Sequence, residues 1–522
     1  MQQMESSVQR DRILVVGAGM GGLSAAIALA AAGREVLVLE QAQGVGGKAR
    51  NVDVAGSAVA AGPTVLTMKW VFEALFEKAG ADFDAELRPQ QAGLLARHCW
   101  TDGEWLDLFA DIDASAAAIA EFSDSRNAEG YRRFCSDSAA MFSTLKHSYI
   151  AAQRPGPFEL MRRIGLMNPA RQLALKPLST MWKALGTYFP DPRLRQLFGR
   201  YATYCGSSPF MAPATLMLVA HVEQDGVWLL EGGIHSLARM MQRKAEQLGV
   251  QFRFGQKVAS IAASGGKASG VVLENGETVR ASAVIFNGDA SALASMAGRA
   301  QFAGVRPVAL SNRSLSAKTW CLSARVSGFP LAHHTVFFSP DYATEFDEIL
   351  NHRKMPRQPT TYLCAQDRDD TGRLAATAKD GFERLLFIVN AAADGDIEES
   401  TERETQQWLH TILDFLESNG LVIERSTMQA MATDPAGFNR LFPGSGGALY
   451  GRASHGWTAS FRRPGARTAM PGLYLAGGSV HPGPGVPMAT LSGMLAAESL
   501  LSDRPSMPMF RPVAISGGMP TD

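Results

Sequence analysis

Ile13-Leu14-Val15-Val16-Gly17-Ala18-Gly19-Met20-Gly21-Gly22 joins four apolar, mostly β-branched residues directly to a glycine-rich turn. A run of that kind reads as a strand buried on both faces. The Ala/Leu-rich stretch from Leu23 to Ala32 then reads as a helix, which Gly33 stops. Glu35-Val36-Leu37-Val38-Leu39 makes a second buried strand, and Glu40 ends it, closing a β-α-β unit of about thirty residues. In Gly17-x-Gly19-x-x-Gly22 the first glycine allows the tight turn, the second admits a pyrophosphate to the backbone, and the third lets the helix pack closely. The start of the helix offers free N–H groups and a positive dipole end to phosphates. Glu40 stands where it can bond a ribose diol, and its charge repels a 2′-phosphate. A bare glycine pattern is a weak signal; the strand before it, the helix after it and the acid ending the next strand make it a dinucleotide site.

Two further glycine clusters separate a flavin from a nicotinamide. Gly44-Val45-Gly46-Gly47-Lys48-Ala49-Arg50 keeps backbone close to a second phosphate or a ring edge, with Lys48 and Arg50 available to neutralise charge. Its bland alternative is a solvent loop carrying two cations. Far downstream, Gly472-Leu473-Tyr474-Leu475-Ala476-Gly477-Gly478 leads into Gly483-Pro484-Gly485-Val486-Pro487-Met488 and a small-residue helix from Ala489 to Ser499. A nicotinamide fold rarely needs a second strand-glycine-helix device so distant, whereas FAD spans an ADP half and an isoalloxazine ring and uses both. N–H groups at such a helix start stabilise negative charge on the reduced ring.

The rest of the chain bounds the answer. With 522 residues it builds two to three structural domains, and 50 basic against 50 acidic side chains leave no net field to attract nucleic acid. Cys99, Cys135, Cys205, Cys321 and Cys364 stand far apart with no metal or disulfide spacing, so they read as reduced and mostly buried. The polar first dozen residues lack the apolar core of a secretory signal, and no run approaches the ~18 apolar residues of a spanning helix, so the chain is expected in the cytoplasm. The fold class is α/β (α+β): a Rossmann-like nucleotide domain, a mixed-sheet substrate domain and a helical subdomain that faces a membrane. The segments expected are 1–80, 225–300 and 441–504 for the nucleotide domain, 81–110 for substrate-domain strands, 111–224 for the helical part, 301–440 for substrate binding, and 505–522 for a loose tail.

With these motifs in hand, the chain resembles the phytoene desaturase-type branch of the flavin amine oxidase superfamily over nearly its whole length. The Gly17 to Arg50 and Leu473 to Gly493 blocks match in order and position, and Arg200 to Pro209 and Glu231-Gly232-Gly233-Ile234-His235 look like shared segments. His333-His334-Thr335-Val336-Phe337-Phe338-Ser339-Pro340-Asp341-Tyr342, extending to Glu345-Phe346, resembles the hydroxyneurosporene (methoxyneurosporene) desaturases, which act on 1-hydroxylated acyclic carotenoids at the 3,4 bond. Carried over by motif, the resemblance implies FAD contacts at Gly17, Gly19, Gly22, Glu40, Gly47, Lys48, Arg50, Thr64, Val65, Val258, Asn287, Gly478, Val486 and Met488. That branch lacks a covalent flavin cysteine near its C-terminal motif, and this block holds none, which implies a non-covalent FAD.

Desaturation removes a hydride and a proton from adjacent carbons, and only a cofactor such as flavin can take the hydride. A long apolar tunnel running past the flavin is therefore expected. No catalytic acid or base is singled out; His235, His333 and His334 read as structural histidines. No metal site is expected either, because adjacent strand residues such as His333 and His334 point to opposite faces. A water-insoluble carotenoid must be collected from a bilayer, which implies peripheral association with the inner or intracytoplasmic membrane. Between Phe158 and Tyr188, apolar residues mixed with Arg162, Arg163, Arg171, Lys176 and Lys183 suit a helix pair at an anionic interface; ordinary solvated helices are the alternative. The electron acceptor, oxygen or a quinone, stays open. Phytoene or another isoprenoid as substrate, amine oxidation, and a flavin-free prenyl-binding protein of the Rab-escort type are the competing readings, since a shared fold does not prove catalysis.

Overall fold

The computed structural model describes residues 12–101, 103–165, 175–176, 178–296, 305–375 and 378–504. Two sheets organise it. The smaller is fully parallel, in the spatial order Leu473–Leu475, Ala283–Phe286, Ile13–Val16, Val36–Leu39, Gln251–Arg253. Its central strand is buried along its whole length, as the unbroken apolar run requires of a strand covered on both faces. Each such side chain contributes about 1.5–3 kcal/mol by leaving water. The sheet is assembled from three distant parts of the chain, with Ile13 opposite both Val36 and Ala283, and Ile285 opposite Tyr474.

The helix after the glycine turn runs from Met20 to Ala31, three residues earlier than the Leu23 start expected. Gly21 and Gly22 lie inside it because nothing larger fits. A Cβ on Gly22 would sit 2.0 Å from the Gly17 carbonyl oxygen, and one on Gly21 would sit 2.9 Å from the Ala489 carbonyl oxygen. The C-terminal helix, Val486–Asp503, crosses at this point, and a Cβ on its Gly493 would meet the Gly21 carbonyl oxygen at 2.0 Å. Ser24 Oγ donates to the Thr490 carbonyl at 2.8 Å across the same contact. Helix Gly233–Gln247 packs on another side of the first helix.

The larger sheet is mixed and seven-stranded, in the order Gln429–Thr433, Ser316–Ala324, Glu383–Ala391, Thr361–Ala365, His334–Phe337, Leu94–Cys99, Trp105–Phe109. Its pairings are antiparallel except where His334–Phe337 runs parallel to Leu94–Cys99. One face, carrying Trp320, Leu322, Leu363 and Phe387, packs on Leu409, Ile412, Leu413 and Leu416 of helix Glu402–Ser418. That helix starts on a capping box in which Thr401 and Glu404 satisfy each other's N–H groups. The opposite face, with Cys321, Cys364 and Leu386, packs on Val52, Val54 and Val59 of the hairpin Asn51–Val54/Ser57–Ala60. The hairpin leads directly out of the glycine segment at residues 44–50, so it joins the larger sheet to the nucleotide turn.

Among the described residues from 111 to 225 the chain carries helices Ile112–Phe122, Ser125–Leu145, Pro157–Ile164, Met181–Leu185, Pro192–Gly199 and Leu218–Asp225. Residues 166–174, including Arg171, and the tail after Arg504 lie outside the described residues. Gly493→Ala is expected to lower the unfolding free energy by about 1–3 kcal/mol, because an added methyl in a closed contact forces the helices apart. A thermal melt of the FAD-loaded protein measures this, and an unchanged midpoint would mean that the helices do not cross here.

Candidate functional site

The three glycine clusters meet. Gly17 takes φ +97°, a conformation natural to glycine, and its carbonyl accepts a bond from Asn287 Nδ2 at 3.1 Å. Asn287 follows the strand Ala283–Phe286, and its backbone N–H donates to the Val16 carbonyl at 2.8 Å. From the other end of the chain, a Cβ on Gly477 would lie 3.0 Å from Asn287 Oδ1. The middle cluster arrives through the Gly46 N–H, which donates to the Ala18 carbonyl at 2.9 Å, and a Cβ on Gly47 would lie 3.3 Å from the Gly19 Cα. Gly17, Gly19, Gly22, Gly47, Asn287 and the Gly477-Gly478 pair are therefore one constellation.

Glu40 is buried at the end of its strand, and both of its oxygens are held. Oε2 accepts the Ala18 N–H at 2.6 Å and Oε1 the Ala42 N–H at 2.8 Å. Two fixed N–H donors leave further lone pairs on the carboxylate for the hydroxyls of a ribose. Val258 opens a neighbouring strand and packs under the parallel sheet with Leu14, Val16, Leu37 and Leu39. Val486 begins the C-terminal helix, and Met488 and Val65 are partly buried against the main core.

Neither helix that points at this constellation has a side-chain cap: Gly19 and Gly485 occupy the two N-cap positions. Their first-turn N–H groups thus remain available to an anion. Lys48 is half-buried close to Asp289 and Arg463; lost contact with water pushes its pKa down while Asp289 opposes the shift. Its Nζ donates to the Leu449 carbonyl. The Arg50 guanidinium donates to Thr433 Oγ1 at 3.0 Å, on the edge strand of the larger sheet. Arg463 is a residue the sequence did not mark. It is buried and bonds the carbonyls of Tyr450, Arg452 and Gly478, which fixes a cation beside the C-terminal glycines. Nothing in Arg462-Arg463-Pro464 signals that role, because it depends on which distant carbonyls the loop meets.

Thr64 reaches across to the larger sheet. Its Oγ1 bonds the Tyr362 hydroxyl at 2.6 Å, and that hydroxyl bonds His334 Nδ1 at 2.7 Å. Burial, with His333 and Arg200 nearby, drives the His334 pKa well below its ordinary value, so the ring is neutral. Sequence placed His333 and His334 on opposite faces of one strand, and the structure corrects this. The strand begins at His334, His333 lies in the bend before it, and the two rings stand 4.5 Å apart at 88°.

The cradle fits a dinucleotide, with glycine backbone on several sides, two uncapped helix starts and an acid positioned for a ribose. Comparison with known proteins agrees. Residues 20–501 match the family described as flavin containing amine oxidoreductase. The chain is 48% identical to a hydroxyneurosporene desaturase of Rubrivivax gelatinosus, covering 99% of this chain and 98% of that one. It is 43% identical to a second protein of that name from Cereibacter sphaeroides (94% and 98% covered) and 28% identical to a 4,4'-diapolycopene oxygenase of Methylomonas (95% and 99% covered). Among solved structures, putrescine oxidase bound to putrescine superposes with a TM-score of 0.59 at 16% identity, covering 94% of this chain and 99% of that one. An oxidoreductase from Methanosarcina mazei superposes with a TM-score of 0.57 at 17% identity, covering 93% and 100%. FAD is thus the cofactor of this chain's family, and the cradle is where these residues would hold it.

Glu40→Ala and Asn287→Ala are each expected to weaken FAD retention about 10- to 100-fold, the loss of one to three kcal/mol that goes with removing a buried polar partner. Flavin absorbance per polypeptide after gel filtration reads the effect. Two variants as yellow as the parent would mean that FAD does not lie on this turn.

Proposed function

The chain belongs to the flavin-containing amine oxidoreductase family, and on that footing we propose that it desaturates an acyclic C40 carotenoid with a 1-hydroxy or 1-methoxy end, introducing the 3,4 double bond. The full-length similarity to proteins named hydroxyneurosporene desaturase carries this reading. When bound, FAD supplies the two-electron acceptor that takes the hydride. The chain's own residues do the rest. The glycine turns, Glu40 and Asn287 would hold the dinucleotide, and Lys48 and Arg463 would supply cations beside the C-terminal glycines. The larger sheet presents buried Val336 and His334 and part-buried Tyr362 on its nucleotide-side face, where they would exclude water from a hydrocarbon.

Liposomes carrying 1-hydroxyneurosporene, neurosporene or phytoene, incubated with FAD-loaded protein, test the reading. A red shift in the absorption of the carotenoid product is expected with the 1-hydroxylated compound. Consumption of phytoene alone would make this a phytoene desaturase. Protein that never takes up flavin would favour the prenyl-binding reading.

We also propose that the enzyme draws its substrate from a membrane surface. The arginines first suspected of holding lipid headgroups are largely committed, since Arg162 and Arg163 both pair with Glu159. Exposed apolar side chains support the idea better. Phe158 is 72% exposed, Leu178 89% and Trp457 55%. Backbone bonds tie the segments that carry them and Met211: Ala214 to Ser179 at 2.9 Å and Gly456 to Met211 at 3.0 Å. Arg154 also donates to the Phe461 carbonyl at 2.7 Å. Replacing Phe158, Leu178 and Trp457 with Ser is expected to reduce co-sedimentation with liposomes at least several-fold while leaving the flavin bound; unchanged pelleting would end the proposal.

A further inference from the structure

His333, His334 and Cys364 converge on the nucleotide-side face of the larger sheet. His334 and Cys364 are directly opposed cross-strand partners, so their side chains share a face, and Cys364 Sγ lies 3.6 Å from His333 Nε2. One ligand-capable atom from each of the three residues falls within 4.8 Å of the other two. We propose that these side chains form a binding site for a single zinc-class divalent cation, with a fourth position open to water.

Several independent features make the cluster more than a chance meeting. With metal–sulfur and metal–nitrogen bonds of about 2.3 and 2.0 Å, a tetrahedral site has a sulfur–nitrogen edge of about 3.5 Å, and the Cys364–His333 pair already has that spacing. Both imidazoles are held at Nδ1, and His333 turns its Nε2 toward Cys364. His333 Nδ1 bonds the Arg368 carbonyl at 2.6 Å, and His334 Nδ1 bonds the Tyr362 hydroxyl at 2.7 Å. Metal-ligating histidines are oriented in this way, with the outer nitrogen on a carbonyl or hydroxyl and the inner one bare. His334 Nε2 is bare: it is buried and has no hydrogen-bond partner. A buried nitrogen without a partner is costly unless something occupies it.

Carboxylates of the following turn, Asp367, Asp369 and Asp370, act on His333, while the buried Arg200 guanidinium acts on His334 in the opposite sense. His333, the least buried of the three ligands, provides the way in. Binding exchanges the Cys364 thiol proton for the metal, so the ion sits on a thiolate and two neutral imidazoles, and the proton leaves to solvent. The cation would clamp His334–Phe337 to Thr361–Ala365 and, through Tyr362, to Thr64 beside the nucleotide cradle.

The test uses full-length, FAD-loaded protein, stripped with a chelator and then titrated with Zn²⁺ or with Co²⁺ as a coloured reporter. One equivalent of metal, a thiolate-to-cobalt absorption band and a zinc-dependent rise in melting temperature are expected. Cys364→Ser should abolish the cobalt–thiolate band, and His333→Gln should weaken metal affinity at least about 10-fold; each variant should keep its flavin, which shows that it is folded. Failure of the wild-type protein to bind Co²⁺ at micromolar concentration overturns the proposal and leaves the cluster a Cys–His hydrogen bond. A thiolate band that survives Cys364→Ser, or a cobalt affinity that His333→Gln leaves unchanged, overturns it too, because the metal then sits on other ligands.

Discussion

The crossing of the first and last helices leaves no room for a side chain. At Gly493 a single carbon would fall 2.0 Å from the Gly21 carbonyl oxygen, and at Gly21 one would fall 2.5 Å from the Asn287 side chain. These distances tie together three parts of the chain that are hundreds of residues apart. Because the helices touch backbone to backbone, Gly477 is brought against Asn287 and Asn287 against the Gly17 turn. The N-termini of both helices then belong to one cradle. Such a contact cannot be made locally: Ser24 and Thr490, which bond across it, are 466 positions apart. The nucleotide part therefore forms only when the whole chain has folded around it.

The larger sheet is divided by the same logic. One face is hydrocarbon packed on a long amphipathic helix, and it supplies stability. The other holds His98, His334 and Tyr362 toward the nucleotide side, and behind these the Arg200 guanidinium bonds the Tyr204 hydroxyl and His98. Tyr201 and Tyr204 in turn both donate to Glu223. A buried cation, a carboxylate and phenols that satisfy one another form a rigid network in a low-dielectric interior.

The β-α-β unit was legible because its evidence is local. An apolar run, a glycine turn, an alanine-rich stretch and a terminal acid each declare a conformation within a few residues, and the structure places both strands and the acid where they were read and the helix three residues earlier. The helix start was misread for a physical reason. Glycine has poor helix propensity, so Gly21 and Gly22 look like turn; in the fold they are helical because a crossing helix excludes every other residue there. The His333-His334 reading failed differently, since alternation along a strand holds only inside the strand and His333 precedes it.

Sequence by itself therefore determined the kind of molecule this is, a flavin-binding oxidoreductase with a nucleotide fold at its start and a matching glycine device near its end. Tertiary structure decided which residues share a site. Arg463 acquires its place from three carbonyls that a distant loop supplies, Arg50 turns to the edge strand at Thr433, and Cys364 meets His333 only because two strands pair in one register. Backbone preference is written in neighbouring residues, whereas a side chain's partners are fixed by packing across the whole chain, and no local pattern records them.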